Sequence, residues 1–243
     1  MQFASARLFI SGESQVLKNL QDFDVIWISS RSENQLMILS QLKNFLGIIY
    51  IEKPYAASGA GLSDLIEFID RHDLNIQLSQ PWTFSQHWLT FKEELRRIEG
   101  GYFEIIRGGS TDHKYLNPVL DWIPHDLNLI YSYMSGAISR IETQDIDWNR
   151  AGDAVKFLLI VNESYYFHVH SGNLGAERIA TWTTGKKIFD FSKPLDQQNF
   201  IVENPESERH ALVDMLTNAI LTPKNQVISQ LKFHQLVIGS LGL

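Results

Sequence analysis

Hydrophobic positions along the first 80 residues alternate between two periods. Asp24-Val25-Ile26-Trp27-Ile28-Ser29-Ser30 is a short apolar run closed by small polar residues, as suits a strand buried on both faces. A helical pattern follows: Ser32 and Gln35 have capping-box spacing, Leu39, Leu42 and Leu46 recur on one face, and Gly47 provides a stop. Gly47-Ile48-Ile49-Tyr50-Ile51-Glu52 is a second buried strand. The next helix is capped by Ser58 and carries Leu62, Leu65, Ile66 and Ile69 on one face. Asn75-Ile76-Gln77-Leu78 is a third strand. Short connections in the order strand, helix, strand, helix, strand imply parallel pairing with right-handed crossovers.

Beyond Pro81 the pattern changes. Trp88, Phe91, Leu95 and Ile98 mark a helix that stops at Gly100-Gly101, and Tyr102 to Arg107 reads as a strand. Further strands are predicted over Ala137 to Ile146, Ala154 to Val161, Tyr165 to His170, Arg178 to Thr183 and Lys187 to Phe191. Turns as short as Asn162-Glu163-Ser164 and Thr184-Gly185-Lys186 join strands that must be antiparallel. Two amphipathic helices close the chain, one near Glu206 to Leu221 and one that Thr222-Pro223 could start. The fold class expected is therefore α/β plus α+β: a parallel sheet with helical crossovers in residues 1–80, then a mostly antiparallel sheet with flanking helices in residues 81–243.

Composition narrows the function classes. The 243 residues are 44% hydrophobic with 12% aromatics, which excludes a disordered chain. A net charge of -7 gives no general drive toward nucleic acid or anionic membrane. The absence of cysteine removes thiolate metal sites and fits a reducing compartment. Met1 to Ile10 lacks the pattern of a secretory signal, and no segment reaches the ~20 apolar residues of a membrane helix, so the cytoplasm is the expectation.

Two places could hold chemistry. Glu52-Lys53-Pro54 ends the second buried strand, where open parallel sheets place their ligand crevice; the same lysine could simply be reaching solvent. The second is Asp121-Trp122-Ile123-Pro124-His125-Asp126 with Leu127 and Asn128. In a helix Asp121, His125 and Asn128 share one narrow stripe, bringing an acid, a base and an amide together. Pro124 belongs in a first turn or at a kink, so His125 is expected close to a helix start. There the helix dipole disfavours imidazolium while Asp121 favours it, leaving the sign of the pKa shift open. A histidine of near-neutral pKa suits proton exchange with an alcohol or carbonyl; a capping aspartate and a packed histidine would leave the same pattern. His168 and His170 share a strand face, but no third ligand has sensible spacing, so no metal is expected. Gly59-Ala60-Gly61 and Gly108-Gly109-Ser110 read as turns, since neither follows a buried strand as G-x-G-x-x-G.

A buried strand ending in Glu-Lys-Pro, then Asp-x-x-x-His in a helix about seventy residues later, then an antiparallel sheet, resembles the Gfo/Idh/MocA family of NAD(P)-dependent oxidoreductases. The likeness spans nearly the whole chain. It implies that Lys53 binds and polarises the reacting oxygen, that His125 exchanges its proton, and that Asp121 holds substrate hydroxyls or orients the histidine. It further implies Ser29, Ser30, Arg31, Glu52 and Lys53 on the cofactor side and Trp82 and Asn128 beside a sugar, sugar nucleotide or polyol. The resemblance also implies an incomplete Rossmann-like domain in residues 1–80, followed by a domain in residues 81–243 whose open, mostly antiparallel sheet would serve as a homo-oligomer interface.

The departures are specific. The family's opening strand, G-x-G-x-x-G turn, helix and second strand have no counterpart here, and Arg7 to Ser14 resemble the stretch just before its third strand. Ser30-Arg31-Ser32 and Gln35 stand where the family has Thr-Pro-Asn and then a histidine. Gln80-Pro81-Trp82-Thr83-Phe84 replaces its arginine or tyrosine after the later strand. An N-terminally truncated member is thus expected, with an exposed parallel edge that Leu8-Phe9-Ile10 could cover. Two functions follow: a dehydrogenase, with NAD or NADP binding in doubt, or a pseudoenzyme or sugar-binding subunit that lacks NAD(P).

Overall fold

Among the described residues three tetrapeptides form the first sheet: Val25–Ile28 (β1), Ile48–Ile51 (β2) and Asn75–Leu78 (β3), parallel in the order β1-β2-β3. The computed structural model describes residues 23–96, 101–111, 114–185, 187–191, 215 and 223–243. The expected covering strand at Leu8-Phe9-Ile10 and the helix near Glu206 to Leu221 lie outside these residues, Met215 apart. Among the described residues β1 is an outer strand, with β2 as its neighbour.

Alternation along these strands sorts the sheet into two faces. Ile28, Ile49, Ile51, Ile76 and Leu78 join the main core with Leu39 of α1 (Ser32–Gln41) and Leu62, Leu65, Ile66 and Ile69 of α2 (Gly59–Arg71). Two right-handed crossovers running in one direction put both helices on that face. Ile48 and Tyr50 face the other way and pack with Met215, Val25, Trp27 and Phe84.

Local signals held unevenly. Ser58 caps α2 as expected, accepting a hydrogen bond from Gly61 N. Gly59 and Gly61 are therefore the first turn of α2 and not a free loop. A Cβ on Gly59 would sit 3.2 Å from Leu243 O and 3.4 Å from Gly239 Cα, so the glycine permits close approach of the C-terminal helix. The capping box at α1 does not form. Arg31 is the N-cap, Ser32 Oγ is buried without a partner, and Gln35 instead donates to Glu52 O (2.8 Å) and Pro54 O (3.1 Å). α1 also stops at Gln41, leaving Leu46 86% exposed. Gly47 serves the sheet: a Cβ there would lie 2.3 Å from Asp24 O, the acceptor of the Ile48 N–H.

Among the described residues the second sheet has six strands: Gly101–Gly108 (β4), Ile141–Trp148 (β5), Ala154–Val161 (β6), Tyr165–Gly172 (β7), Ile179–Thr184 (β8) and Lys187–Asp190 (β9). Their order is β5-β6-β7-β4-β8-β9, antiparallel except where β4 enters beside β7 in parallel. β5 begins four residues later than the pattern predicts. The chain leaves the preceding helix through Ser135 and Gly136, both at positive φ, and a register shift between Gln144 and Asp147, with Asp145 at φ 51°, carries the strand on to Trp148.

One face of this sheet is closed by α4 (Pro118–Tyr133) and α3 (Gln86–Leu95). Trp88 and Phe91 of α3 pack on Trp182 of β8, with ring centroids 5.3 and 6.2 Å apart. The last helix, α5 (Lys224–Ser240), packs across α2 and α4 and so ties the two sheets together. Among the described residues no element covers the other face. Tyr102 and Ile188 are 66% and 62% exposed there, and Tyr102 stacks on Tyr166.

Candidate active site

The site forms where the carboxyl end of β2 meets the first two turns of α4. Strand β2 is fully buried and delivers Glu52 and Lys53 at its end, followed by a cis Lys53–Pro54 peptide. Glu52 turns inward and accepts from Ser79 Oγ at 2.5 Å, joining the ends of β2 and β3. Lys53 reaches across to α4. Its Nζ donates to Asp121 Oδ1 at 2.7 Å and to Asp121 O at 3.0 Å, while Thr111 Oγ1 donates to Asp121 Oδ2 at 3.3 Å. Neither partner is sealed off, with side-chain exposures of 23% and 13%.

Helix α4 starts earlier than its proline suggests. Asn117 caps it by accepting from Val119 N at 2.9 Å, and Pro118 takes the first position. Pro124 is then in the interior, so His125 lies in the second turn and not beside the helix start. Its pKa direction is also decided. Burial and the positive charges of Lys53, Arg107 and Arg178 hold it well below the usual imidazole value. Asp121 does not offset them, being committed to Lys53. His125 is thus a neutral, partly buried base one turn from the Lys53–Asp121 pair.

Beneath His125 is a group that the motifs did not single out. Arg107 of β4 is buried and donates through Nε to both carboxylate oxygens of Asp126, each at 2.8 Å; Trp182 Nε1 donates to Asp126 Oδ1 at 2.9 Å. Burial raises the Asp126 pKa, against the pull of Arg107. The Arg107 guanidinium also lies 5.4 Å from the centre of the Phe191 ring. A signal for it was present in the sequence: Phe103, Ile105 and Arg107 share strand parity, which puts an arginine on the core face.

Of the other expected residues, Asn128 shares α4 with Asp121 and His125 but is buried, and its amide bonds to Tyr55, Gln230 and His234. Ser29 is exposed after β1, Ser30 Oγ donates to Arg31 O, and the Arg31 guanidinium stacks 4.6 Å from the Tyr115 ring centre. Trp82, in the 3-10 turn Pro81–Phe84, packs edge-on against Phe191. The structure therefore brings Lys53, Asp121 and His125 together, with Asn128 buried among its own hydrogen bonds and Trp82 half-buried against Phe191. His168 and His170 face outward, opposite Glu104 and Lys156. No group of three metal-capable side chains occurs among the described residues.

Neither a protein-family model nor a curated protein matches the chain. Solved structures do. UDP-N-acetylglucosamine 3-dehydrogenase from Acidithiobacillus ferrooxidans superposes with a TM-score of 0.68 at 12% identity, covering 94% of this chain and 82% of the other. The fold is that of the Gfo/Idh/MocA dehydrogenases. Within that fold, myo-inositol 2-dehydrogenase from Lactobacillus plantarum gives 0.67 at 14% identity over 93% of this chain and 82% of its own. Scyllo-inositol dehydrogenase from Lactobacillus casei, solved with NAD(H) and scyllo-inositol, gives 0.64 at 16% over 93% and 79%. In that fold β1 to β3 are the parallel sheet and β4 to β9 the mixed sheet with flanking helices.

Proposed function

We propose that this chain binds a sugar, sugar nucleotide or other polyol at Lys53, Asp121 and His125, and acts on it as an oxidoreductase when NAD or NADP is bound. One observation carries the reading: an ammonium held 2.7 Å from a carboxylate, with a neutral imidazole one helical turn away, at the carboxyl end of a buried parallel strand. The Lys53 ammonium would bind the reacting oxygen of the substrate and stabilise charge developing on it. Neutral His125 would accept the hydroxyl proton as an alcohol is oxidised and return it in the reverse direction. Asp121 would orient the ammonium and take a neighbouring hydroxyl as donor.

Fit to the cofactor is partial. Two buried oxygens without partners among the described residues, Ser32 Oγ and Gln35 Oε1, lie in the first turn of α1 beyond β1, beside exposed Ser29 and Arg31. These residues suit the nicotinamide end of NAD(P), which supplies hydride transfer when bound. No G-x-G-x-x-G occurs within the 243 residues to seat a pyrophosphate. That absence favours a second reading for this chain, polyol binding without NAD(P).

Thermal-shift titration with myo-inositol, UDP-N-acetylglucosamine and NAD(P)H separates the two. The enzyme reading expects stabilisation by both cofactor and polyol, the second by polyol alone. Lys53→Met should abolish the polyol response; a polyol response that survives it, or none in the parent protein, would overturn the site. The open face bearing Tyr102, Tyr166 and Ile188 supports association with a second copy of the chain.

A further inference from the structure

Two ties join the segment after β2 to α4. The first is Lys53 to Asp121. The second lies two residues on in one segment and two turns on in the other: Asn128 Nδ2 donates to Tyr55 Oη at 2.9 Å. Unlike the first it is sealed, Tyr55 and Asn128 each being 3% exposed.

The direction of every bond in this second tie follows from one fixed acceptor. Tyr55 Oη donates to the backbone carbonyl of Ser79 at 3.2 Å, so toward Asn128 it can only accept, which sets the Asn128 amide nitrogen against it. Asn128 Oδ1 is then left to accept from Gln230 Nε2 and His234 Nε2, both at 2.9 Å. Gln230 Nε2 also reaches Gln80 Oε1 at 2.6 Å. His234 is fully buried and stays neutral, with its proton on Nε2. The turn after β2, α4 and α5 thus meet at one asparagine side chain, and the turn after β3 joins them through Tyr55 and Gln230.

We propose that Asn128 and Tyr55 are positioning residues, holding α4 in register against the segment after β2 so that the Lys53 ammonium meets Asp121. The inference rests on Lys53, oriented by Asp121, belonging to the reacting site, and it assigns Asn128 no contact with substrate. The exposed pair alone could not fix the register. A lysine stem has four rotors and carries large side-chain entropy, and a partly exposed ion pair contributes little net stability. A buried hydrogen-bonded amide has one geometry, because every alternative leaves a polar atom unpaired.

The test needs neither substrate nor cofactor. Tyr55→Phe removes one hydroxyl from the second tie and leaves the ring packing intact. The readout is the Lys53 ammonium signal in 15N-edited spectra at low temperature and mildly acidic pH, assigned by its loss in Lys53→Met. In Tyr55→Phe its proton exchange should quicken about tenfold, the equivalent of one hydrogen bond. Asn128→Ser should do the same, and Leu159→Ala, a core truncation in β6 of the other sheet, serves as a control of general destabilisation. Lys53 exchange unchanged in Tyr55→Phe would overturn the proposal, as would equal acceleration in Leu159→Ala. Because the probe is the lysine itself, absence of oxidoreductase activity would leave this result standing.

Discussion

At the scale of single residues, the buried His234 and the partly buried His125 make the protein sensitive to acid. His234 is held near a pKa of about 3 by burial, against 6.5 in the unfolded chain. Between those values the unfolded state binds more protons than the folded one. Stability contributed by the neutral ring is therefore complete above 6.5 and lost as pH falls, with a slope approaching about 1.4 kcal/mol per pH unit per histidine. His125 shifts the same way. Urea unfolding across the mildly acidic range should show this slope, and His234→Gln, whose amide can still donate to Asn128, should remove about half of it. Identical slopes in parent and variant would refute the assignment. The sequence displayed His125 through its spacing from Asp121, whereas nothing near His234 distinguishes it from an ordinary helix residue. Its partner is 106 residues away.

At the scale of elements, the buried Arg107–Asp126 pair fixes how α4 seats on the open sheet. Both side chains are 1% exposed, and Trp182 adds a third bond. Arg107→Met would strand a carboxylate in the core and should cost about 3–5 kcal/mol by chemical denaturation. Arg107→Met combined with Asp126→Leu should recover much of that loss, since the penalty lies in the orphaned charge and not in the missing attraction. A double variant as unstable as the single one would instead show that shape at this position matters more. Helix α4 also shows where local rules mislead. Pro124 suggests a helix beginning near His125, but Asn117 and Pro118 supply a complete start two turns earlier, and the apolar face from Val119 to Ile130 outweighs one lost backbone bond. Ser32 and Gln35 fail as a capping box for a related reason. Gln35 gains two backbone acceptors beyond β2, and those bonds are tertiary.

At the scale of the whole molecule, one sheet face is covered by helices and the other presents an aromatic ladder. Tyr102→Glu on that outer face should leave folding intact, because the residue is 66% exposed, while shifting sedimentation of the protein toward a single-copy species. Unchanged sedimentation would place any association elsewhere.

The hydrophobic pattern by itself determined the parallel β1 to β3 unit, the β6–β7 and β8–β9 hairpins and the helical stripe bearing Asp121 and His125. These depend on periods of 2 and 3.6 residues and on turns a few residues long, all of them local. Only the tertiary structure decided that Lys53 meets Asp121 across 68 residues, that β4 slots in parallel beside β7, and that Asn128 faces α5. Each of these is a contact between elements whose individual patterns are satisfied by any apolar surface. What selects the partner is the pairing of buried polar atoms, a quantity that exists only once the elements are packed.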